Sequence, residues 1–202
     1  MTVTSSGRRR GRPPKAAAGD TKEELLQAAL TLFAAKGYEA TSVEEIAAWA
    51  GVSPRTFFRY FDSKDRVLFF GGDAFNAAVV RQLPNQPAER DDLAAVAATL
   101  RSLSSMVTPL KQRIRLYFRA VQESSQLLGQ HETALARHED DLATALAARR
   151  SLSVPDPRCR LTARLATVAM DQAYASWLSS RRDLAEHLDE AFALLRQIAR
   201  GD

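Results

Sequence analysis

The stretch Thr41-Ser42-Val43-Glu44-Glu45-Ile46-Ala47-Ala48-Trp49-Ala50-Gly51-Val52-Ser53-Pro54-Arg55-Thr56-Phe57-Phe58-Arg59-Tyr60-Phe61-Asp62-Ser63-Lys64 reads as two short helices joined at a glycine. That is the shape of a helix-turn-helix, which lays its second helix in a DNA groove. Ser42 is placed to cap the first helix, and Glu45, three residues on, completes a capping box. Ile46, Ala47 and Ala50 give this helix one apolar face. Gly51 ends it, and Ser53 opens a second helix with Pro54 at its first position. The polar side of that helix carries Arg55, Thr56, Arg59 and Tyr60. The same pattern also fits an ordinary helical hairpin, because capped helices joined at a glycine are common.

Upstream, a helix is expected over residues 22–35, with Gly37 just beyond its end. Leu25, Ala29, Leu32 and Phe33 fall on one face, ready to pack on Ile46, Ala47, Val52, Phe57 and Phe61. Thr41 and Ser42 open the next helix, where hydroxyls and free backbone N–H groups suit a phosphate. Lys64, after the Ser63 cap, is placed to do the same on the other side. Arg55 suits bidentate pairing with a guanine edge, Thr56 a base methyl or a phosphate, and Pro54 a thymine methyl.

Over residues 21–68 the chain resembles the TetR family of bacterial regulators. The resemblance is carried by Leu25-Leu26-Gln27-Ala28-Ala29, Phe33, Gly37-Tyr38, Thr41-Ser42-Val43, Ile46-Ala47, Ala50-Gly51-Val52-Ser53, Thr56, Tyr60-Phe61 and Ser63-Lys64. It implies an all-α fold: a three-helix DNA-binding domain followed by a larger helical domain that dimerises and binds a small ligand. The expected division is a disordered basic arm (1–20), a helix-turn-helix domain (21–66) and a helical ligand-binding and dimerisation domain (67–202). By the same resemblance, the positions of Pro54, Arg55, Thr56, Phe58, Tyr60 and Lys64 touch DNA, with Ser53 and Arg59 beside them. One departure stands out. The family usually has tyrosine where this chain has Phe58, which lacks a hydroxyl for phosphate, so Tyr60 or Arg59 is left to take that contact. The later wording, around Arg119 to Ser124, is similar to mycofactocin-type regulators, whose C-terminal domain is described as binding acyl-CoA-like ligands.

Composition sets the outer bounds. The chain has 202 residues, 46% hydrophobic and 26% charged, ordinary for a globular protein with a sizeable core. No uninterrupted apolar run approaches about 18 residues, so a membrane span is not expected, and no amphipathic helix accompanies the basic arm, so a membrane partner is not expected either. The basic N-terminus lacks the apolar segment of a secretion signal. With Cys159 as its single cysteine, the chain cannot form an internal disulfide, which fits a reducing cytoplasm; the expected DNA binding would make it nucleoid-associated there. Of the net charge of +4, the arm supplies Arg8, Arg9, Arg10, Arg12 and Lys15 before the first acid, Asp20. Within the arm, Arg10-Gly11-Arg12-Pro13 matches the core of an AT-hook, whose arginines lie in the narrow minor groove of A·T tracts. A solvated tail attracting phosphate without specificity is the plainer reading.

After Lys64 the pattern is helical throughout, with helices expected over 64–83, 88–107, 109–123, 126–149, 157–181 and 184–200. Gly71-Gly72 inside the first of these suggests a hinge or a close helix contact. Phe75, Tyr117, Phe118, Met170, Tyr174 and Trp177 are the large side chains expected to face the domain interior and a ligand, although an aromatic stripe is more often core; Arg113, Arg115 and Arg119 suit either an anionic headgroup or a solvated, partly salt-bridged face. The final helix carries an apolar stripe through Leu184, Leu188, Phe192, Leu195 and Ile198, and its neighbour offers Leu161, Leu165 and Val168. A stripe at this spacing is most often internal core, but by resemblance these two helices meet their copies in a four-helix dimer interface. DNA reading favours a homodimer independently, since two recognition helices about 34 Å apart read a palindrome. His131 and His138 lie two turns apart on a charged helix and read as surface residues; no metal and no cofactor are expected.

The function expected from these features is sequence-specific binding of double-stranded DNA by a dimeric regulator, a repressor released by a small-molecule effector. The alternative is a non-liganded architectural protein coating A·T-rich DNA. An enzyme is not expected, for no nucleophile-base set, metal cluster or phosphate loop appears at a recognisable spacing.

Overall fold

The computed structural model describes residues 18–69 and 72–201. Helix α1 runs Ala18–Lys36, α2 Val43–Trp49, α3 Pro54–Tyr60, α4 Lys64–Phe69 and α5 Gly72–Gln82. Then come α6 (Asp92–Val107), α7 (Lys111–Glu123), α8 (Ser125–Arg149), α9 (Pro157–Ser179) and α10 (Leu184–Arg200), with 3₁₀ turns at Leu83–Asn85 and Thr108–Leu110. Among the described residues there is no strand. Arg10, Arg12 and the rest of the basic arm, and Gly71 of the suggested hinge, lie outside the described residues; Gly72 is the first residue of α5.

Local chemistry sets the boundaries around the N-terminal helices. The Ser42 Oγ accepts from the Glu45 N–H at 3.2 Å, and the Glu45 carboxylate accepts from the Ser42 N–H at 2.9 Å, so the capping box is complete. Gly51 takes φ +68°, a left-handed turn that only glycine enters cheaply. Ser53 then caps α3 through the Thr56 N–H, with Pro54 in its first turn.

Further along, tertiary contacts move the ends. Residues 88–91 were expected to be helical, yet α6 begins at Asp92, capped by Asp91, whose carboxylate accepts from the Ala94 N–H at 2.7 Å. The preceding turn is held out of the helix by Arg149 of α8, which donates to the carbonyls of Gln86, Pro87 and Arg90. The segment 92–123 is, by length and composition alone, apolar enough to cross a membrane. In the fold it is two helices around a 3₁₀ turn, and Val96, Leu100, Leu103 and Val107 are buried against protein.

Two hydrophobic cores result. The upper one gathers α5, α6, α8, α9 and α10 around Val96, Leu100, Leu146, Trp177, Leu184, Leu188 and Phe192. The lower one joins Leu25, Leu26, Phe33, Ile46, Phe57 and Phe61 of the first three helices. It is completed by Val67 and Leu68 of α4, Ala120 and Val121 of α7 and Leu127 of α8. Burying a side chain such as Phe57 stabilises the fold by about 1.5–3 kcal/mol, so this lower core binds the α7–α8 corner firmly to the three N-terminal helices.

Candidate nucleic-acid interface and ligand cavity

The outer side of α3 is open. Arg55, Arg59, Ser53 and Pro54 are exposed, Phe58 is 52% exposed, and Thr56 is half-buried. Ser53, Arg55, Thr56, Phe58 and Arg59 border one shallow depression. Phe57, between them in sequence, turns inward and is fully buried, with its ring edge-on to Phe58 at 5.5 Å. Arg59 donates to the Tyr60 hydroxyl at 3.1 Å and lies over the Tyr60 ring at 4.9 Å. That leaves the Tyr60 hydroxyl proton available to an acceptor, the contact that Phe58 cannot make.

Two of the expected phosphate groups are placed otherwise. Thr41 is 2% exposed, and its hydroxyl donates to the Gly37 carbonyl at 2.8 Å, so it shapes the α1–α2 turn and does not face outward. The Lys64 ammonium donates to the carbonyls of Tyr38 and Thr41 at 2.8 and 3.0 Å and sits 3.9 Å from the centre of the Tyr38 ring. Burial holds its pKa below the ordinary lysine value against the opposing pull of Glu39 and Asp65. Lys64 is thus first a strut inside the turn. The Tyr38 phenol, buried beneath it and near Asp65 and Glu39, is pushed up to about 12. Ser42 remains half-exposed at the start of α2.

A cavity of about 1070 Å³ opens between α4, α5, α6, α7, α8 and α9. Phe75, Arg113, Tyr117, Phe118, Met170 and Tyr174 line it, as the sequence suggested; Trp177 does not, being buried behind Tyr174 with ring centres 5.9 Å apart. Arg115 and Arg119 are not in the lining: Arg115 donates to the Leu178 carbonyl, and Arg119 pairs with Glu123. Sequence reasoning missed His131, His138 and Asp171, all of which line the cavity. The histidines read as surface residues because α8 is charged, but both are half-buried. The Tyr117 hydroxyl and His131 Nδ1 lie 2.6 Å apart. Burial lowers the His131 pKa and raises that of Tyr117. With both groups neutral, either Tyr117 donates to Nδ1 and Nε2 carries the ring proton, or Nδ1 donates to the phenol oxygen. His138 and Arg137 both approach Asp73. Among the described residues no cluster suited to a metal occurs.

The stripe on α10 divides between two environments. Leu184, Leu188 and Phe192 were expected to meet a second subunit, but they are buried in the upper core and present no surface. The exposed side is formed instead by Leu194 and Ile198, the latter 65% exposed, with Leu195 half-buried. On α9, Leu161 and Val168 are 61% and 58% exposed, with Leu165 half-buried between them. The two helices pack on each other, and each leaves an apolar stripe exposed.

Two family models match. Residues 25–69 match the bacterial regulatory proteins of the tetR family, and residues 90–199 match the MftR C-terminal domain. The chain is 32% identical over 142 residues to the HTH-type transcriptional regulator TcmR of Streptomyces glaucescens, a match covering 67% of this chain and 63% of that one. It thus spans less than two thirds of that relative's length. It is 27% identical over 173 residues to MftR of Mycobacterium tuberculosis, covering 85% and 87% of the two chains. Among solved structures it resembles FadR of Thermus thermophilus in complex with lauroyl-CoA, with a TM-score of 0.55 and 24% identity over 87% of this chain and 93% of that one.

Proposed function

Because this chain belongs to the TetR family of bacterial regulatory proteins, we propose that it is a ligand-responsive repressor that binds a palindromic operator as a homodimer. The observation that carries this reading is the open side of α3, where Arg55, Thr56, Phe58 and Arg59 surround one depression while Phe57 anchors the helix. Arg55 reads a guanine edge, Pro54 and Thr56 press on neighbouring bases, and Ser42, Ser53, Tyr60 and Arg59 fix the backbone. Arg10 and Arg12 extend the contact into an A·T minor groove.

Dimerisation runs through Leu161, Leu165 and Val168 of α9 with Leu194, Leu195 and Ile198 of α10, whose exposure supports a helix-on-helix contact with a second copy. The division into arm, DNA-binding domain (21–66) and ligand-binding domain (67–202) follows this assignment of work. The protein acts in the cytoplasm, on the nucleoid, and not as an enzyme. The effector occupies the cavity and binds the DNA-incompetent arrangement more tightly, which is the thermodynamic condition for release. The match to the MftR C-terminal domain and the lauroyl-CoA complex of FadR support an acyl-CoA-like effector.

Selection of bound DNA from a random pool, followed by footprinting, tests this function. A short palindrome with half-sites about one helical turn apart is expected. Broad coverage of A·T-rich DNA without a defined site refutes it and favours an architectural role.

A further inference from the structure

Two large apolar side chains of the three N-terminal helices are exposed, Trp49 and Phe58, and of these Phe58 borders the depression on α3. Its ring is braced from behind. The buried Phe57 ring stands edge-on to it, with centres 5.5 Å apart and planes at 84°, and Phe57 in turn rests on Phe61 at 5.6 Å. Phe58 is thus tied through two rings into the lower core while half of its surface stays open to solvent. Around it the depression is made of Ser53, Arg55, Thr56 and Arg59. A phenyl ring held in place on so polar a face gains only from an apolar partner.

The phosphates are a poor one. Phe58 has no hydroxyl, and pressing its ring on a phosphate strips water from charged oxygens without returning a hydrogen bond. The Arg59–Tyr60 pair stands beside it for that contact. On the major-groove edge of a base the apolar group is the 5-methyl of thymine, and phenylalanine suits it. Arg55 and Phe58 are three residues apart and share one side of α3, both exposed. Their separation along the helix, about 4.5 Å, is close to one base-pair step of about 3.4 Å.

We infer that Phe58 reads the 5-methyl group of a pyrimidine in the major groove, one base step from the guanine that Arg55 pairs with. This rests on α3 being the recognition helix. Thymine and 5-methylcytosine carry the same methyl group, so binding responds to cytosine methylation at this position as well as to thymine.

The palindrome that the wild-type chain enriches from a random pool supplies the probe. It is resynthesised with each thymine in turn replaced by deoxyuridine, which deletes one methyl group and keeps the pairing. Affinity is then measured by fluorescence anisotropy. At one position next to a guanine, uracil is expected to weaken wild-type binding about fourfold when placed in one half-site and about fifteenfold in both. Phe58→Ala should bind more weakly overall and no longer distinguish thymine from uracil there. Phe58→Tyr keeps the ring and should keep the discrimination. In a third duplex set, a C·G pair at that position should bind wild-type protein about fourfold tighter per half-site when the cytosine is methylated at C5.

A uracil penalty that persists in Phe58→Ala assigns the methyl to another side chain and overturns the inference. So does its loss in Phe58→Tyr, equal binding of cytosine and 5-methylcytosine, or a palindrome with no methyl-sensitive position, the result expected of a ring resting on deoxyribose. A pool that yields no palindrome overturns the regulator reading itself, and this inference with it.

Discussion

Replacing Lys64 by methionine separates the two roles open to this residue. The ammonium makes two charge-assisted bonds to the Tyr38 and Thr41 carbonyls and a contact with the Tyr38 ring. Gross values of about 1.5–3 kcal/mol per charged hydrogen bond and about 0.5–1 for the ring contact are offset by desolvation of the ammonium. Its pKa is lowered by that same burial, which gives the direction of the offset. Lys64→Met keeps the stem but leaves two carbonyls short of a donor, so a net loss of about 1–2 kcal/mol is expected. At this chain length that lowers the melting temperature by roughly 2–8 °C. Urea unfolding followed by circular dichroism measures the loss directly. DNA affinity falls too, because the turn that Lys64 holds leads straight into Ser42 and α2, but the salt dependence of binding keeps its slope. An unchanged unfolding midpoint, together with a salt slope reduced by about one, refutes the strut and restores a direct phosphate contact.

Arg55→Ala is expected to cost roughly 1–3 kcal/mol of operator binding and to relax preference at one base position, whereas equal loss on every sequence counts against base reading. Val168→Asp is expected to yield folded monomers by light scattering, since Val168 is exposed on α9. Phe192→Ala, by contrast, should destabilise the subunit itself by about 3–5 kcal/mol, because that ring lies in the upper core. Acid should weaken the fold through His131. Burial and the nearby His138 depress its pKa against the pull of Glu132. The unfolded chain therefore takes up the proton first, and stability is lost as pH falls below about 6.5. Carboxylates held low by their partners, such as Glu45 and Asp156, add their losses only below about pH 4.5. His131→Gln should flatten urea midpoints between those limits, and an unaltered slope argues against the buried histidine as its source.

The readable parts of the sequence were those whose physics is local. The Ser42–Glu45 box, the Ser53–Pro54 start and the Gly51 turn each sit within a few residues of the backbone they satisfy, and each formed as read. The start of α6 was not readable, since Arg149 lies some sixty residues away and its bonds decide whether 86–90 can join the helix. Periodicity showed the apolar arc on α10 but not how it is shared; Leu188 and Phe192 went to the core, Leu194 and Ile198 to the surface. In the cavity, Tyr117, Phe118, Met170 and Tyr174 were legible as interior faces of their helices. One turn further, Trp177 slipped behind the wall, and His131 was obscured by the charged residues around it.

The presence of Ala120, Val121 and Leu127 in the lower core bears on how such a protein can be taken apart. A fragment ending near residue 69 keeps the whole recognition surface yet loses part of the interior on which Phe33 and Leu26 rest. The DNA-reading head is therefore not a portable cassette. A chimera that grafts it onto another regulator must bring the α7–α8 corner along or rebuild the matching three side chains in the host. The same dependence makes the head a strain gauge for its neighbour, because whatever pries that corner loosens the reading helices at their foundation.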